Sequence, residues 1–418
     1  MKDHTFVDGN VKAYFDKRTP KKTSAREYIF GKKQPGPNST IVNDNDYLRL
    51  SNAQEVVQTQ AEHLSGGVKQ VMMSRYLITG NNLHLKIEKQ FADFLSKESV
   101  LITQSGYVAN MGLLQAISNP DTIVYVDYFI HESFRAGLKS TGAKSVFFQH
   151  NSAEDLLEKI KVHGSGIILV ESINSALGTV CPLEAMVNIR NTYGCVLVVD
   201  ESHTLGLYGE CGSGLSAELG LVESVDFITA SLSKTFCTRA GLIAGKEKII
   251  QYIQEISPVA IFSSAILEYD LIRLKTMLKV IKEADEKRRK LMHNAVIVRS
   301  ALLELGYNIP ATPIPSPIIS LVAGPEDSLC VLRAYFDDRD IFASVFYWPA
   351  TPKNRTLHRF LLHSDLSSLD VKRIIEACKA LKDECNLNVF RFLFSKNSGE
   401  KAIGDEHKPA KVTVSSRL

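Results

Sequence analysis

Three strand-like runs in the middle of the chain each end in residues able to do chemistry. After Cys195-Val-Leu-Val-Val199 comes Asp200-Glu-Ser-His203, with glycines at 206, 209, 212 and 214. After Phe227-Ile-Thr229 comes Ala-Ser231-Leu-Ser233-Lys234, and after Ile167–Val170 comes Glu171-Ser-Ile-Asn-Ser175. Open parallel sheets bind ligands beyond the carboxyl ends of their strands, so these ends are the places to look. Singly, each residue has an ordinary explanation. Asp200 can cap a helix or pair with a lysine, His203 can sit satisfied in a core, and Lys234 can lie at the surface. The glycine series is not a dinucleotide fingerprint, because its order is wrong and Asp200–His203 separates it from the strand. No Walker A, His-Glu-x-x-His or Gly-x-Ser-x-Gly pattern occurs.

Together the residues suit pyridoxal phosphate. The Lys234 amine can condense with its aldehyde, and a buried Asp200 carboxylate can keep the pyridine nitrogen protonated so that the ring accepts carbanion electrons. His203 can hydrogen-bond the phenolic oxygen, and the hydroxyls of Ser231 and Ser233 can hold the phosphate. Further donors come from Gly106 and Tyr107, at a turn before a helix, where backbone N–H groups and the helix dipole favour an anion. His131, just past Tyr125-Val-Asp127, can stack on the ring.

The elements that must position these residues are legible as periodicity. Leu83, Ile87, Phe91, Phe94 and Leu95 mark one buried helical face. Short β-branched runs follow at Ile123–Val126, Val146–Phe148, Ile167–Val170, Val196–Val199 and Phe227–Thr229, with helical segments at Ala153–Val162 and Leu183–Tyr193. Buried strands alternating with helices predict an α/β fold, a mostly parallel sheet covered on both faces. A long helical region then runs from about Ala265 to Leu305. Beyond it, Ile318–Val322, Asp327–Phe336, Ala343–Tyr347, Arg359–Leu362 and Leu369–Leu381 read as strand, helix, strand, strand and helix, a small α+β unit. The expected division is an N-terminal arm at 1–45, a large domain at 46–295, a small C-terminal α+β domain at 296–390 and a flexible tail at 391–418.

Composition bounds what remains. The chain has 418 residues, 44% hydrophobic and 23% charged, which excludes a largely disordered protein. A net charge of +3 gives no strong field, so nucleic acid is not expected as a partner. The seven cysteines are odd in number and form no Cys-x-x-Cys pair, so neither a disulfide scaffold nor a metal site is expected. Residues 1–15 contain no apolar stretch of the kind that directs secretion, and the longest apolar runs are strand-sized, with no membrane span. A soluble cytoplasmic protein is the expectation.

The motifs resemble those of the fold-type I pyridoxal-phosphate enzymes and, within them, the α-oxoamine synthases, which join an acyl-CoA to an amino acid with loss of CO₂ and CoA. The similarity runs from Asn45-Asp-Tyr-Leu48 to about Cys385. It is carried by Ser74-Arg75, Gly80-Asn-Asn, His84 and Glu88, by Ser105-Gly-Tyr-x-Ala-Asn110, and by Asp127 with His131. Glu171, Ser175, Gly178 and Pro182-Leu183 continue it, with Asp200-Glu-Ser-His203 and Ser231-Leu-Ser-Lys234. The resemblance implies a seven-stranded-type sheet in the large domain and a homodimer with its active site at the subunit interface. It implies Lys234 as the Schiff-base lysine, Asp200 as the pyridinium partner, His203 at the phenolic oxygen and His131 stacked on the ring. Ser231 and Ser233 with Gly106 and Tyr107 would hold the phosphate, and Ser263 and Ser264 would reach it from the partner subunit. Glu171 and Ser175 would lie near the cofactor. Arg359 would grip the amino-acid carboxylate, with Ser74 and Asn45 also on the substrate side.

Several stretches depart from the wider family and resemble one branch of it. Ser231 stands where a threonine is common, and Leu362-His363-Ser364-Asp365 follows Arg359 in place of the usual Ala-x-His. These features, with Pro258-x-Ala-Ile-Phe-Ser-Ser264 and Ser344-Val-Phe346, are similar to the bacterial quorum-sensing autoinducer synthases, makers of long-chain α-aminoketones or α-hydroxyketones from a medium-chain acyl-CoA and a short amino acid. The resemblance leaves other α-oxoamine synthases open: an 8-amino-7-oxononanoate synthase, a glycine C-acetyltransferase or a serine-palmitoyltransferase-like enzyme. An aminotransferase of the same fold, or a non-catalytic partner subunit, is the remaining alternative.

Overall fold

A computed structural model describes residues 5–16, 25–67, 72–80, 82–310, 312–384 and 393. Eleven strands among them are numbered in chain order: β1 (Thr40–Val42), β2 (Ser99–Thr103), β3 (Ile123–Asp127), β4 (Lys144–Phe148), β5 (Ile167–Glu171), β6 (Val196–Asp200), β7 (Phe227–Ser231), β8 (Gly241–Gly245), β9 (Ile318–Gly324), β10 (Ile341–Phe346) and β11 (Thr356–Leu361). The expected tail at 391–418 lies almost wholly outside the described residues.

One compact unit comprises residues 51–174 and 180–283, built on a seven-stranded sheet in the order β2-β8-β7-β6-β5-β3-β4. Only β8 runs against its neighbours; the other adjacent pairs are parallel. β5 is buried at every position, which is why its sequence is a continuous apolar run rather than an alternation. Leu113, Phe134, Val124, Leu169, Val198 and Ile243 meet in the core that joins the sheet to helices Gly106–Ile117 and Glu132–Thr141. The register sets Glu171 beside Asp200 and Asp200 beside Thr229, so the polar ends of β5, β6 and β7 lie in one row.

The described residues of 1–50, 175–179 and 284–395 form a second compact unit. Its sheet has the order β1-β10-β11-β9, with β1 parallel to β10 and the other pairs antiparallel. Helices Asp285–Glu304, Glu326–Asp338 and Ser368–Glu384 belong to this unit, and helix Thr5–Asp16 buries none of its residues. The long helical region expected over 265–305 is two helices, Glu268–Lys282 and Asp285–Glu304. The chain changes units between Glu283 and Ala284, so the two apolar stripes serve different cores and need not share one axis.

Candidate active site

The residues expected at the ends of β5, β6 and β7 are placed there by the strands themselves. Asp200 is the last residue of β6 and is buried. Its Oδ1 accepts from Ser202 N at 2.8 Å and its Oδ2 from Asn110 Nδ2 at 2.8 Å. Two donors hold this buried carboxylate in place. Glu171 ends β5 and accepts weakly from Asn174 Nδ2 at 3.4 Å, while His203 is buried in the turn after β6.

His131 caps helix Glu132–Thr141, its Nδ1 accepting from Ser133 N at 3.3 Å. Its ring stands edge-on to Tyr107 with centroids 6.3 Å apart. His131 is exposed as a residue, yet desolvation by the surrounding protein holds its pKa below the ordinary histidine value. Asp200 opposes that shift and the Lys234 ammonium reinforces it, so these three ionisable groups share one electrostatic neighbourhood.

A cradle for an anion sits at the same edge. Ser105 caps helix Gly106–Ile117, its Oγ accepting from Val108 N at 3.2 Å, which leaves the amides of Gly106 and Tyr107 at an N-terminal turn. Gly106 presses on the end of β7: a Cβ there would stand 2.6 Å from Ser231 Cβ. Gly241 presses on the other side of that turn, where a Cβ would stand 2.3 Å from the Ser105 carbonyl carbon. The hydroxyls of Ser231 and Ser233 are 2.8 Å apart, and Ser231 N donates to Ser202 Oγ at 2.8 Å. Thr229 Oγ1, beside Asp200 in the register, is buried with no hydrogen-bond partner among the described residues. An acceptor-only carboxylate, a lysine, two hydroxyls and a glycine-lined helix start fit pyridoxal phosphate by donor chemistry and by the space left for backbone approach.

The remaining expected residues divide between the units. Ser74 and Ser264 pair as an isolated antiparallel bridge, and Gln104 Nε2 donates to Ser264 O at 2.5 Å. Ser263 and Ser264 are exposed. In the second unit Arg359, on β11, donates from Nη1 to Ser175 O and lies over the Phe346 ring, 4.4 Å from its centroid. Burial lowers its pKa to about 10, which leaves it a cation at neutral pH. Asn45 Oδ1, in the same unit, is buried with no hydrogen-bond partner among the described residues.

Two residues were given no role in advance. Asn110 links Asp200 to Ser133 Oγ, the latter at 3.0 Å, and Ser133 Oγ lies 2.8 Å from His131 Nδ1. Asn110 had a legible signal, a polar residue within an otherwise apolar stripe of helix Gly106–Ile117. Ser133 had none beyond its place two residues after His131.

Residues 41–391 match the family described as aminotransferase class I and II. The chain is 36% identical to the CAI-1 autoinducer synthase of Vibrio campbellii over 90% of its own length and 94% of the relative's. It is 27% identical to a putative 8-amino-7-oxononanoate synthase of Acetivibrio thermocellus, over 81% and 87% of the two chains. Its fold is that of Sphingomonas wittichii serine palmitoyltransferase, at 21% identity and a TM-score of 0.78 over 91% of this chain and 97% of that one. The expected fold-type I architecture and its pyridoxal-phosphate dependence therefore hold. The chain belongs to the aminotransferase class I and II family and, within it, to the α-oxoamine synthases, pyridoxal-phosphate-dependent acyltransferases.

Proposed function

We propose that this enzyme condenses an acyl-CoA with a short amino acid, releasing CO₂ and CoA, to give an α-aminoketone that serves as precursor of a quorum-sensing autoinducer. The observation that carries the proposal is the 36% identity to a CAI-1 autoinducer synthase along nearly the whole of both chains. Bound pyridoxal phosphate supplies an electron sink for the charge left at the amino acid's α-carbon. The chain's own residues supply the rest. The Lys234 amine takes the α-proton and returns a proton after CO₂ has left. The Asp200 carboxylate, held by Asn110 and Ser202, would keep the proton on the ring nitrogen. His131 would stack on the ring and His203 would donate to its phenolic oxygen, with Glu171 and Ser175 also assigned to cofactor binding. The amides of Gly106 and Tyr107 and the hydroxyls of Ser231 and Ser233 would bind the phosphate, joined by Ser263 and Ser264 from the second copy of a homodimer. Arg359 binds the amino-acid carboxylate with its planar pair of N–H groups, with Ser74 and Asn45 on the substrate side. A new C–C bond joins the α-carbon to the acyl carbonyl, the C–S bond breaks, and CoA departs as the thiol.

Incubation with a panel of acyl-CoAs and small amino acids, followed by product mass and thiol release, tests the reading. An α-aminoketone with one CoA released per product is the expected result. Keto acid formation without CoA release would move the enzyme to the aminotransferases, and no consumption of any acyl-CoA would sink the proposal.

A further inference from the structure

A carboxylate can only accept hydrogen bonds, and that constraint propagates from Asp200 through two side chains to His131. Asp200 Oδ2 lies 2.8 Å from the Asn110 side chain, so the amide nitrogen, not the amide oxygen, must face it. The second hydrogen of that nitrogen goes to Ser133 Oγ at 3.0 Å, while Asn110 Oδ1 is buried with no hydrogen-bond partner among the described residues. Since Ser133 Oγ accepts from the amide, its own hydrogen is left for His131 Nδ1 at 2.8 Å. The backbone N–H of Ser133, which can only donate, points at the same nitrogen from 3.3 Å. Two donors therefore converge on Nδ1, and the proton of the neutral imidazole must sit on Nε2. Asn110 and Ser133 are both buried, so water does not compete for the bond between them.

We infer that Asn110 and Ser133 are positioning residues that hold His131 in its Nε2–H tautomer and tie that tautomer to Asp200. His131 then presents an N–H donor, rather than a bare lone pair, at Nε2. One asparagine thus orients both the carboxylate and the histidine, and the donor on His131 suits an oxygen that gains negative charge during acyl transfer. The use made of that donor rests on the assignment of His131 to the cofactor and substrate; the tautomer itself does not.

The test is a long-range ¹H–¹⁵N correlation on ¹⁵N-histidine-labelled full-length protein carrying pyridoxal phosphate, with His131 assigned by its loss in His131→Gln. The wild type should show protonated Nε2 and unprotonated Nδ1. Ser133→Ala removes the hydroxyl donor and should shift part of the population to Nδ1–H, whereas Ser133→Thr should restore the wild-type signal. Asn110→Asp replaces a donor with an acceptor, so the Ser133 hydroxyl should turn towards it and the Nδ1–H population should grow further. A wild-type Nδ1–H signal, or an unchanged tautomer in both Ser133→Ala and Asn110→Asp, overturns the relay. Visible absorbance of the cofactor, read on the same samples, reports separately. Its absence from the wild type would defeat the cofactor reading while the tautomer signal still decided the relay.

Discussion

Gly106 and Ser231 are in backbone-close contact: a Cβ on Gly106 would stand 2.6 Å from Ser231 Cβ and 2.9 Å from Ser231 N. Only glycine allows the start of helix Gly106–Ile117 to come this near the end of β7, and the approach is what brings amides and hydroxyls to one place. Gly106→Ala must push them apart. Overpacking of this kind costs about 1–3 kcal/mol. Cofactor affinity should fall roughly tenfold or more, read by titrating visible absorbance with pyridoxal phosphate, and an unchanged affinity would remove the cradle from the phosphate site.

In the proposed assignment Asp200 would carry more of the chemistry than any one phosphate contact, because its charge would act on the ring that must accept electrons. Asp200→Ala should lower kcat by about a hundredfold to a thousandfold. Ser233→Ala removes one of several phosphate donors and should cost about tenfold or less, mainly as cofactor affinity. Near-wild-type turnover in Asp200→Ala would show that the electron-sink assignment is wrong.

Much of this arrangement was legible in the sequence because its signals are local. β5, β6 and β7 are apolar runs whose polar ends follow at once, so strand and functional residue are read together. β8, at Gly241–Gly245, was not read as a strand, since three apolar residues between glycines match a turn as well as a strand. β2, with Val100, Leu101 and Ile102 buried, leads straight into the Ser105–Tyr107 turn, but its apolar run of three residues was not among those read as strands. The break between Glu283 and Ala284 was invisible because both flanking helices have the same period, and only the change of core divides them. Ser133 was missed for a similar reason: its role depends on a hydrogen bond to a residue 23 positions away.

Arg359 lies over the Phe346 ring, its Cζ 4.4 Å from the centroid, with one amino group already committed to Ser175 O. Stacking and a fixed hydrogen bond leave the planar guanidinium aimed in one direction, and a lysine ammonium reproduces neither. Arg359→Lys should cost about 1.5–3 kcal/mol in kcat/KM for the amino acid, about tenfold to a hundredfold, with KM for the acyl-CoA unchanged. Equal losses for both substrates would place the residue outside carboxylate recognition.

Arg75 and Glu88 form a buried pair, with Nε to Oε1 at 2.9 Å and Nη2 to Oε2 at 2.5 Å, and Glu88 Oε1 also accepts from Ile102 N at 3.0 Å on β2. Removal of either charge leaves the other buried and unpaired. Glu88→Leu and Arg75→Met should each cost about 3–5 kcal/mol, while the double variant should recover much of the loss. Urea midpoints of the four proteins measure the coupling, and strictly additive losses would argue that the pair acts as two separate residues.

His358, on β11, is wholly buried, stacks on Phe336 with centroids 4.7 Å apart, and has no hydrogen-bond partner at either ring nitrogen among the described residues. Burial first, and the Arg333 charge second, lower its pKa from 6.5 to about 3. His363 in the same unit is lowered to about 4 by burial and by Arg49, and His84 in the other unit to about 4 by burial and by Arg75. In each case the unfolded chain takes a proton near the ordinary histidine pKa and the folded chain does not. The unfolded state therefore binds more protons below about pH 6.5, so stability is full above that value and falls as the pH drops towards about 4. Each histidine contributes about 1.4 kcal/mol per pH unit within its window. His358→Phe keeps the stack, removes two unpaired polar atoms, and should equal or exceed the wild type in stability at neutral pH. It should also flatten the loss of stability between about pH 6 and about pH 4 by one histidine's share, measured as urea midpoints across that range. An undiminished slope in His358→Phe would mean that His358 already carries its proton in the folded protein.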